Sequence, residues 1–582
     1  VDPASVAMPA GEPASNFCNG GPLPPLTPGL GQVAVGPLSV DLSFLLNKHS
    51  ASNALLVAGS KTASGHPVAV FGPQVAYWAP EILHEMDIHG PGIDARGASF
   101  PGTDVYVELG RGVDYAWSAT SAGNDIVDER LERLCDPSGA PATTSSTYYL
   151  YKGVCTPMYE RTDREVAKTS AGGPNPPQVI TIQIERTVHG PVVGRGYGID
   201  PATGLKVPVA VSYQRSTWFD ELSSATAFMN WNDPERVRSA SDFIHYGGEE
   251  DGTFNWFYVD SKDIAYYSSG KMPVRPANVN PNLPTWGTGQ YDWTGFLPTA
   301  QHPQAINPSQ GFMTNWNNKP APGWSAADSN FAYGPVYRSQ SLTDRVKAAI
   351  AKGPVKPVDI VNAMEDAGSV DLDGSQLVAP LQAALNGAAL TPAQQSLMSL
   401  LSSWASAGAH RREASGGTYD SNGVTVMDDL YPRLAHAVFD PWLPPDQFAL
   451  LAGNLLGLND APGPKGSAYD GGWEGYLQRS LQQAVTPTVA NAYSQSYCGS
   501  GSLAACQSAL KSALQATIDH LTQVYGSADP AAWTCSRSNQ APRCTPAADD
   551  IVFTQLGVEG VPNLPWINRP TFQQVVQYPA SR

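Results

Sequence analysis

The chain has 582 residues and a net charge of −17, a size beyond the usual single domain and a charge that disfavours nucleic acid and anionic membrane surfaces as partners. Hydrophobic residues make up 42%, with 24 Tyr and 14 Trp, which excludes a disordered chain. No apolar run reaches the ~20 residues of a membrane helix, and Val1 opens on neither a Met nor a charged-then-apolar signal, so the start reads as mature or truncated.

Residues 1 to about 40 are rich in Pro, Gly, Ala and Ser, a composition that predicts an extended connector. Asp41 to Lys48 predicts a short helical turn. Ser52-Asn53 then opens an apolar run from Ala54 to Ala58. A second run, Val68 to Phe71, follows after a polar turn, and Gly72-Pro73-Gln74 closes the pair. Two short apolar runs around such a turn predict a buried hairpin. Pattern alone makes Ser52 a strand-edge serine.

Strands continue to about residue 130, and 136 to 178 reads as an inserted loop region. Val179 to Glu185 alternates as a half-buried strand, and Asn255 to Tyr267 reads as a hairpin. Residues 271 to 336 form a long Pro, Asn, Gly and Trp-rich stretch, a length that in compact proteins points to function. Helical periodicity takes over from 339 to 412, 426 to 456, 473 to 485 and 503 to 525. Strands first and helices later predict an α+β body. Of the seven cysteines, Cys135 and Cys155, Cys498 and Cys506, and Cys535 and Cys544 each bracket a short polar loop. This suits three disulfides and an oxidising compartment, secreted or periplasmic. Free buried thiols or a metal site are the rival reading, but no CxxC spacing supports the metal. Cys18 is left over.

The Ser-Asn strand with Gly72-Pro73-Gln74 resembles the start of the catalytic chain in the penicillin acylase family of N-terminal-nucleophile hydrolases. Two further stretches strengthen the resemblance: Trp117-Ser-Ala-Thr-Ser121-Ala-Gly-Asn-Asp125-Ile-Val-Asp128, and Gly311-Phe-Met-Thr-Asn-Trp-Asn317-Asn-Lys-Pro320 with Arg338 beyond it. It covers nearly all of 52 to 582 and implies a four-layer αββα fold with additional helical regions. It makes residues 1–51 a spacer and 52–582 the catalytic domain. A serine hydroxyl needs a base. At a chain start that base is the free α-amino group, whose pKa near ~8 leaves a useful neutral fraction. The resemblance therefore implies that Ser52 becomes a chain terminus by self-cleavage. It assigns Gln74 to holding the amine, Arg338 to orienting amine and asparagine, and the Ser121 N–H with the Asn317 side-chain amide to the oxyanion. On its own, Asn317 would read as a turn-capping loop residue.

The same resemblance implies a structural Ca2+ held by Asp125, Asp128 and Asp328 with the carbonyls of Val127 and Pro281. These are hard oxygen ligands suited to calcium, although a lone Asp-x-x-Asp is ordinarily a solvated turn. One family ligand, a glutamate, comes from a small upstream α-subunit, a partner chain outside this sequence. Val75, Trp231 and Phe254 fall where acyl-binding side chains lie, and each reads equally well as core. A valine at 75 replaces the aromatic of phenylacetyl-cleaving members, which suits bulkier or longer acyl groups. His84-Glu-Met-Asp-Ile-His89 is one residue too long for a zinc-protease motif, and no Gly-x-Ser-x-Gly elbow occurs. The function implied is hydrolysis of an acyl amide: a β-lactam, an acyl-homoserine lactone or an acylated peptide, with no organic cofactor. A catalytically silent secreted binding relative and a structural cell-wall protein are the alternatives.

Overall fold

The computed structural model describes residues 52–75, 77–103, 105–167, 178–200, 202–277, 279–281, 283–324, 333, 336–454, 472–486, 488–490, 492–537, 546–555, 560–564 and 570–579. The connector, the helical turn at 41–48, Cys18, Asp328 and Cys544 lie outside them.

The predicted hairpin is the centre of the molecule. Asn53–Val57 pairs antiparallel with Val68–Gly72 in the register Asn53↔Gly72 to Val57↔Val68. Phe312–Asn315 flanks the first strand and Gln574–Gln577 the second, giving a four-stranded sheet. Every residue of both central strands is buried. Their runs are apolar without alternation because both faces of the sheet are covered.

One face carries Leu55, Val57, Val68 and Val70 against Leu342, Val346, Ile360 and Met364. Those residues belong to helices Val336–Ala351 and Pro357–Gly368. The other face carries Ala54, Leu56, Ala69 and Phe71 against Ala116, Phe257, Val259 and Tyr266 of a seven-stranded sheet. Beyond that sheet, Trp117, Ala119, Trp256 and Tyr258 pack on Ala227, Trp231 and Phe243 of helices Ser224–Trp231 and Ala240–Gly247. The order is helix, sheet, sheet, helix. The α+β, four-layer expectation holds.

A further sheet runs through Val127–Cys135, with Lys206–Arg215 on one side and Tyr148–Tyr151 on the other. Residues 372–525 contribute six more helices among the described residues, around a core of their own. Cys135–Cys155 and Cys498–Cys506 are disulfide-bonded.

Two expectations change. Gln178–Arg186 is a strand, but among the described residues its ladder is the two-stranded ribbon with Tyr159–Ala167. Ile180 and Ile182 on one of its faces are 46% and 43% exposed. The alternation is real, yet the face that would be half-buried lies largely open. Residues 136–178, read as an inserted loop region, hold the strands Tyr148–Tyr151, Val154–Pro157 and Tyr159–Ala167.

Candidate active site

Ser52 precedes the first strand and is only 4% exposed. The strand pairs Ala54↔Asn315, and Ser52 and Asn317 lie two residues beyond that pair, past the end of the ladder, at the same end of the sheet. The turn after the second strand returns to the same point. There the backbone N–H of Gln74 donates to Ser52 Oγ at 3.0 Å. Gly72 permits the close approach of the segment before the C-terminal strand, since a Cβ there would stand 1.8 Å from the Phe572 carbonyl oxygen. Gln74 thus meets the Ser52 hydroxyl through its main chain, while its side chain donates to the Tyr77 hydroxyl.

Asn317 follows the flanking strand and adopts φ +59°, a left-handed conformation that asparagine tolerates better than most residues. Its side-chain amide donates to the Ser121 carbonyl at 3.0 Å. Its side-chain oxygen accepts from Arg338 Nη2 at 3.0 Å. Arg338 is 5% exposed, lies in the first turn of its helix, and covers the Trp316 ring at 5.4 Å. Ser121 ends the strand Tyr115–Ser121. Hydrogen bonds join Ser52 to Gln74, and Asn317 to Ser121 and Arg338, and the Ala54↔Asn315 pairing brings the two groups to the same end of the central sheet.

The three apolar candidates are placed differently. Phe254 lies directly across from Ser121 in the sheet and is half-buried. Trp231 is wholly buried behind it, packed against Trp256 and Phe243, with its indole N–H donating to the Phe243 carbonyl. Val75 is half-buried, and its backbone N–H donates to the Thr571 hydroxyl. Just before Phe254 sits Glu250, a group the sequence reading passed over. It is 3% exposed and accepts from Ser224 Oγ and the Gly252 N–H. Burial pushes its carboxyl up to about 7 against those two hydrogen bonds.

Asp125 and Asp128 are both buried. Arg275 bridges them, donating from Nη2 to Asp125 Oδ1 and from Nε to Asp128 Oδ1, each at 2.8 Å. The second oxygen of Asp128 accepts from Arg130 Nη2 at 2.8 Å and the Trp293 indole at 2.7 Å. Pro281 lies in a turn four residues before Thr285, which pairs with Arg130. Two buried carboxylates are hard donors of the type calcium takes, and each already accepts from arginine, Asp125 from Arg275 and Asp128 from Arg275 and Arg130. No group of three His, Cys, Asp or Glu able to hold a metal gathers among the described residues, so a third carboxylate would have to come from Asp328, outside them. His84–Gly90 is a strand, which removes the zinc-protease reading on structural grounds as well.

The sequence profile of the penicillin amidase family matches residues 6–572. The chain belongs to the penicillin amidase family. It is 25% identical over 382 residues to penicillin G acylase of Escherichia coli, covering 65% of this chain and 41% of that protein. It is 24% identical over 313 residues to penicillin acylase 2 proenzyme of Pseudomonas sp. strain SE83, covering 52% and 36%. A third relative is the acyl-homoserine lactone acylase QuiP of Pseudomonas fluorescens Pf-5, 25% identical over 293 residues, covering 50% and 33%. The matches thus span well under half the length of these relatives. The fold matches a thermostable penicillin G acylase from Alcaligenes faecalis with a TM-score of 0.69 at 23% identity, over 90% of this chain and 88% of that one.

Proposed function

We propose that this member of the penicillin amidase family is an acylase: it hydrolyses a linear amide through Ser52 once that residue has become an N-terminus. The observation that carries the reading is the convergence of Ser52, Asn317 and Arg338, with the Gln74 N–H on the serine hydroxyl. While Ser52 is joined to Ala51 its nitrogen is an amide, which accepts no proton. Cleavage would use the same hydroxyl. Ser52 Oγ attacks the Ala51 carbonyl, the C–N bond breaks as the acyl group moves to oxygen, and water hydrolyses the ester. The freed amine then serves as the base for the hydroxyl in each turnover.

In that turnover Oγ attacks the substrate carbonyl. The Ser121 N–H and the Asn317 amide donate to the developing oxyanion, the amine product leaves with the proton, and water releases the acyl group. Arg338 fixes the Asn317 amide by holding its oxygen. Acyl amides of the kinds named for the relatives, penicillins and acyl-homoserine lactones, are the substrate classes proposed. Phe254 borders the acyl site, and Val75 leaves room for a larger group. Ca2+ held by Asp125, Val127, Asp128, Pro281 and Asp328 is proposed as a structural ion that would tie distant segments together. A small upstream subunit is the proposed partner. The disulfides favour a secreted or periplasmic setting. Assay of a panel of chromogenic phenylacetyl and fatty-acyl amides tests the reading: release of the chromophore supports an acylase, and binding without release supports a silent relative.

A further inference from the structure

Behind the proposed oxyanion site lies a line of buried polar side chains that the roles above do not use. The backbone N–H of Asn317 donates to Asn315 Oδ1 at 2.8 Å. The same oxygen accepts from the Thr120 hydroxyl at 2.7 Å. Thr120 Oγ1 in turn accepts from Asn255 Nδ2 at 3.2 Å, and Asn255 Oδ1 accepts from the Tyr266 hydroxyl at 2.7 Å. Thr120, Asn315, Asn255 and Tyr266 are each at most 1% exposed. Tyr266 is hydrogen bonded onward to Ser268, and Ser268 Oγ accepts from Asn124 Nδ2 at 2.9 Å.

We propose that Thr120, Asn315, Asn255 and Tyr266 are positioning residues that hold the two halves of the oxyanion hole in register across the two sheets. The inference rests on the acylase reading of Ser52. One donor of the hole belongs to Ser121, on the seven-stranded sheet. The other belongs to Asn317, on a loop of the four-stranded sheet. The two meet directly, where the Asn317 amide donates to the Ser121 carbonyl, and again at Asn315 Oδ1, which binds both the Asn317 backbone and Thr120, the neighbour of Ser121.

The Asn317 backbone is held at positive φ, a conformation that persists only when its surroundings over-determine it. The N–H bond to Asn315 supplies that constraint. In the dry interior the bonds run the same way, from Tyr266 through Asn255 and Thr120 to Asn315, so each polarises the next. Loss of one leaves a buried partner unsatisfied and frees the next amide to turn. A displacement of about 1 Å at the reacting centre costs on the order of 100-fold. The four residues touch no reacting atom, so their effect is on transition-state stabilisation through Asn317 and Ser121.

The test uses the active enzyme carrying Thr120→Val, Thr120→Ser or Tyr266→Phe. The readouts are kcat and KM on the best chromogenic amide, inhibition by the matched boronic acid, which forms a tetrahedral adduct on the serine, and inhibition by the product carboxylic acid. For Thr120→Val and Tyr266→Phe we expect kcat to fall roughly 10- to 100-fold with KM within about twofold. Boronic acid inhibition should weaken by the same factor as kcat and product inhibition should not, because only the tetrahedral species uses the hole. Thr120→Ser should restore activity. Unchanged kcat in both variants, or equal weakening of boronic acid and product, overturns the proposal. If Thr120→Val does not fold, Tyr266→Phe, four hydrogen bonds from Asn317, decides alone. An inactive wild-type enzyme overturns the acylase reading and this inference together; an active wild type with unaffected variants overturns the inference only.

Discussion

At Asn317 one side chain answers two demands. Its left-handed backbone brings the amide back toward Ser121, and its oxygen is held by Arg338 so that the nitrogen presents its hydrogens. Asn317→Gly keeps the backbone conformation and removes only the amide. We expect kcat to fall ~100- to 1000-fold, the usual loss for one oxyanion donor, with the thermal midpoint nearly unchanged. A matching drop in stability would assign Asn317 to structure instead. Glu250 sets a pH dependence of stability. Its folded pKa, about 7, is raised above 4.5 chiefly by burial, so the folded protein holds that proton more tightly than the unfolded chain. The contribution is full below about pH 4.5 and is lost as pH rises through 7, a total of roughly 3 kcal/mol. Glu250→Gln should therefore stabilise the protein at pH 8, leave it unchanged near pH 4.5, and flatten the midpoint between; equal shifts at both pH values would refute this. Ser52, Asn317 and Arg338 were singled out through the family resemblance, and the structure joins the last two at 3.0 Å. That the Gln74 main chain meets the Ser52 hydroxyl was not legible, since a backbone contact leaves no mark on residue type.

Among the elements, the segment from 271 to 297 is the clearest case of structure hidden from sequence. Its composition predicts an irregular stretch, and it contains only short paired pieces. It is nevertheless pinned to the strand Val127–Cys135 by Arg275 and Trp293 on Asp128, by Thr285 and Trp286 pairing with Arg130 and Leu131, and by Asp292 on His189, which also binds Glu132. The Asp125 and Asp128 pair was singled out through the family resemblance, because its local spacing alone reads as a solvated turn, whereas both are buried. Arg275 was not, because nothing local relates it to carboxylates nearly 150 residues earlier. Its guanidinium is buried with both partners, so Arg275→Met should cost about 3–5 kcal/mol by removing the cation that two buried carboxylates share. Thermal unfolding reads this directly. A midpoint shift of less than a degree would show that the segment is held by other contacts. The exposed ribbon Tyr159–Ala167 with Gln178–Arg186 teaches the converse, that alternation fixes a strand but not what covers it.

For the whole molecule, continuous apolar runs at 54–58 and 68–71 predicted a buried hairpin, and late helical periodicity predicted the helices after 339; the covering of both sheet faces and the separate core of the late helices are seen only in the structure. The layer order itself came from pairings such as Ala54↔Asn315 and Ala69↔Val576, whose sequence separations no local pattern encodes. The central claim, that this sandwich exists to present Ser52 as a new N-terminus, is tested most directly by N-terminal sequencing of the active protein alongside Ser52→Ala. The account predicts a catalytic chain beginning Ser-Asn-Ala-Leu-Leu, with Ser52→Ala leaving the Ala51–Ser52 bond intact and the protein inactive. Activity from a chain still joined at Ala51, or an active chain that begins anywhere but Ser52, would contradict it.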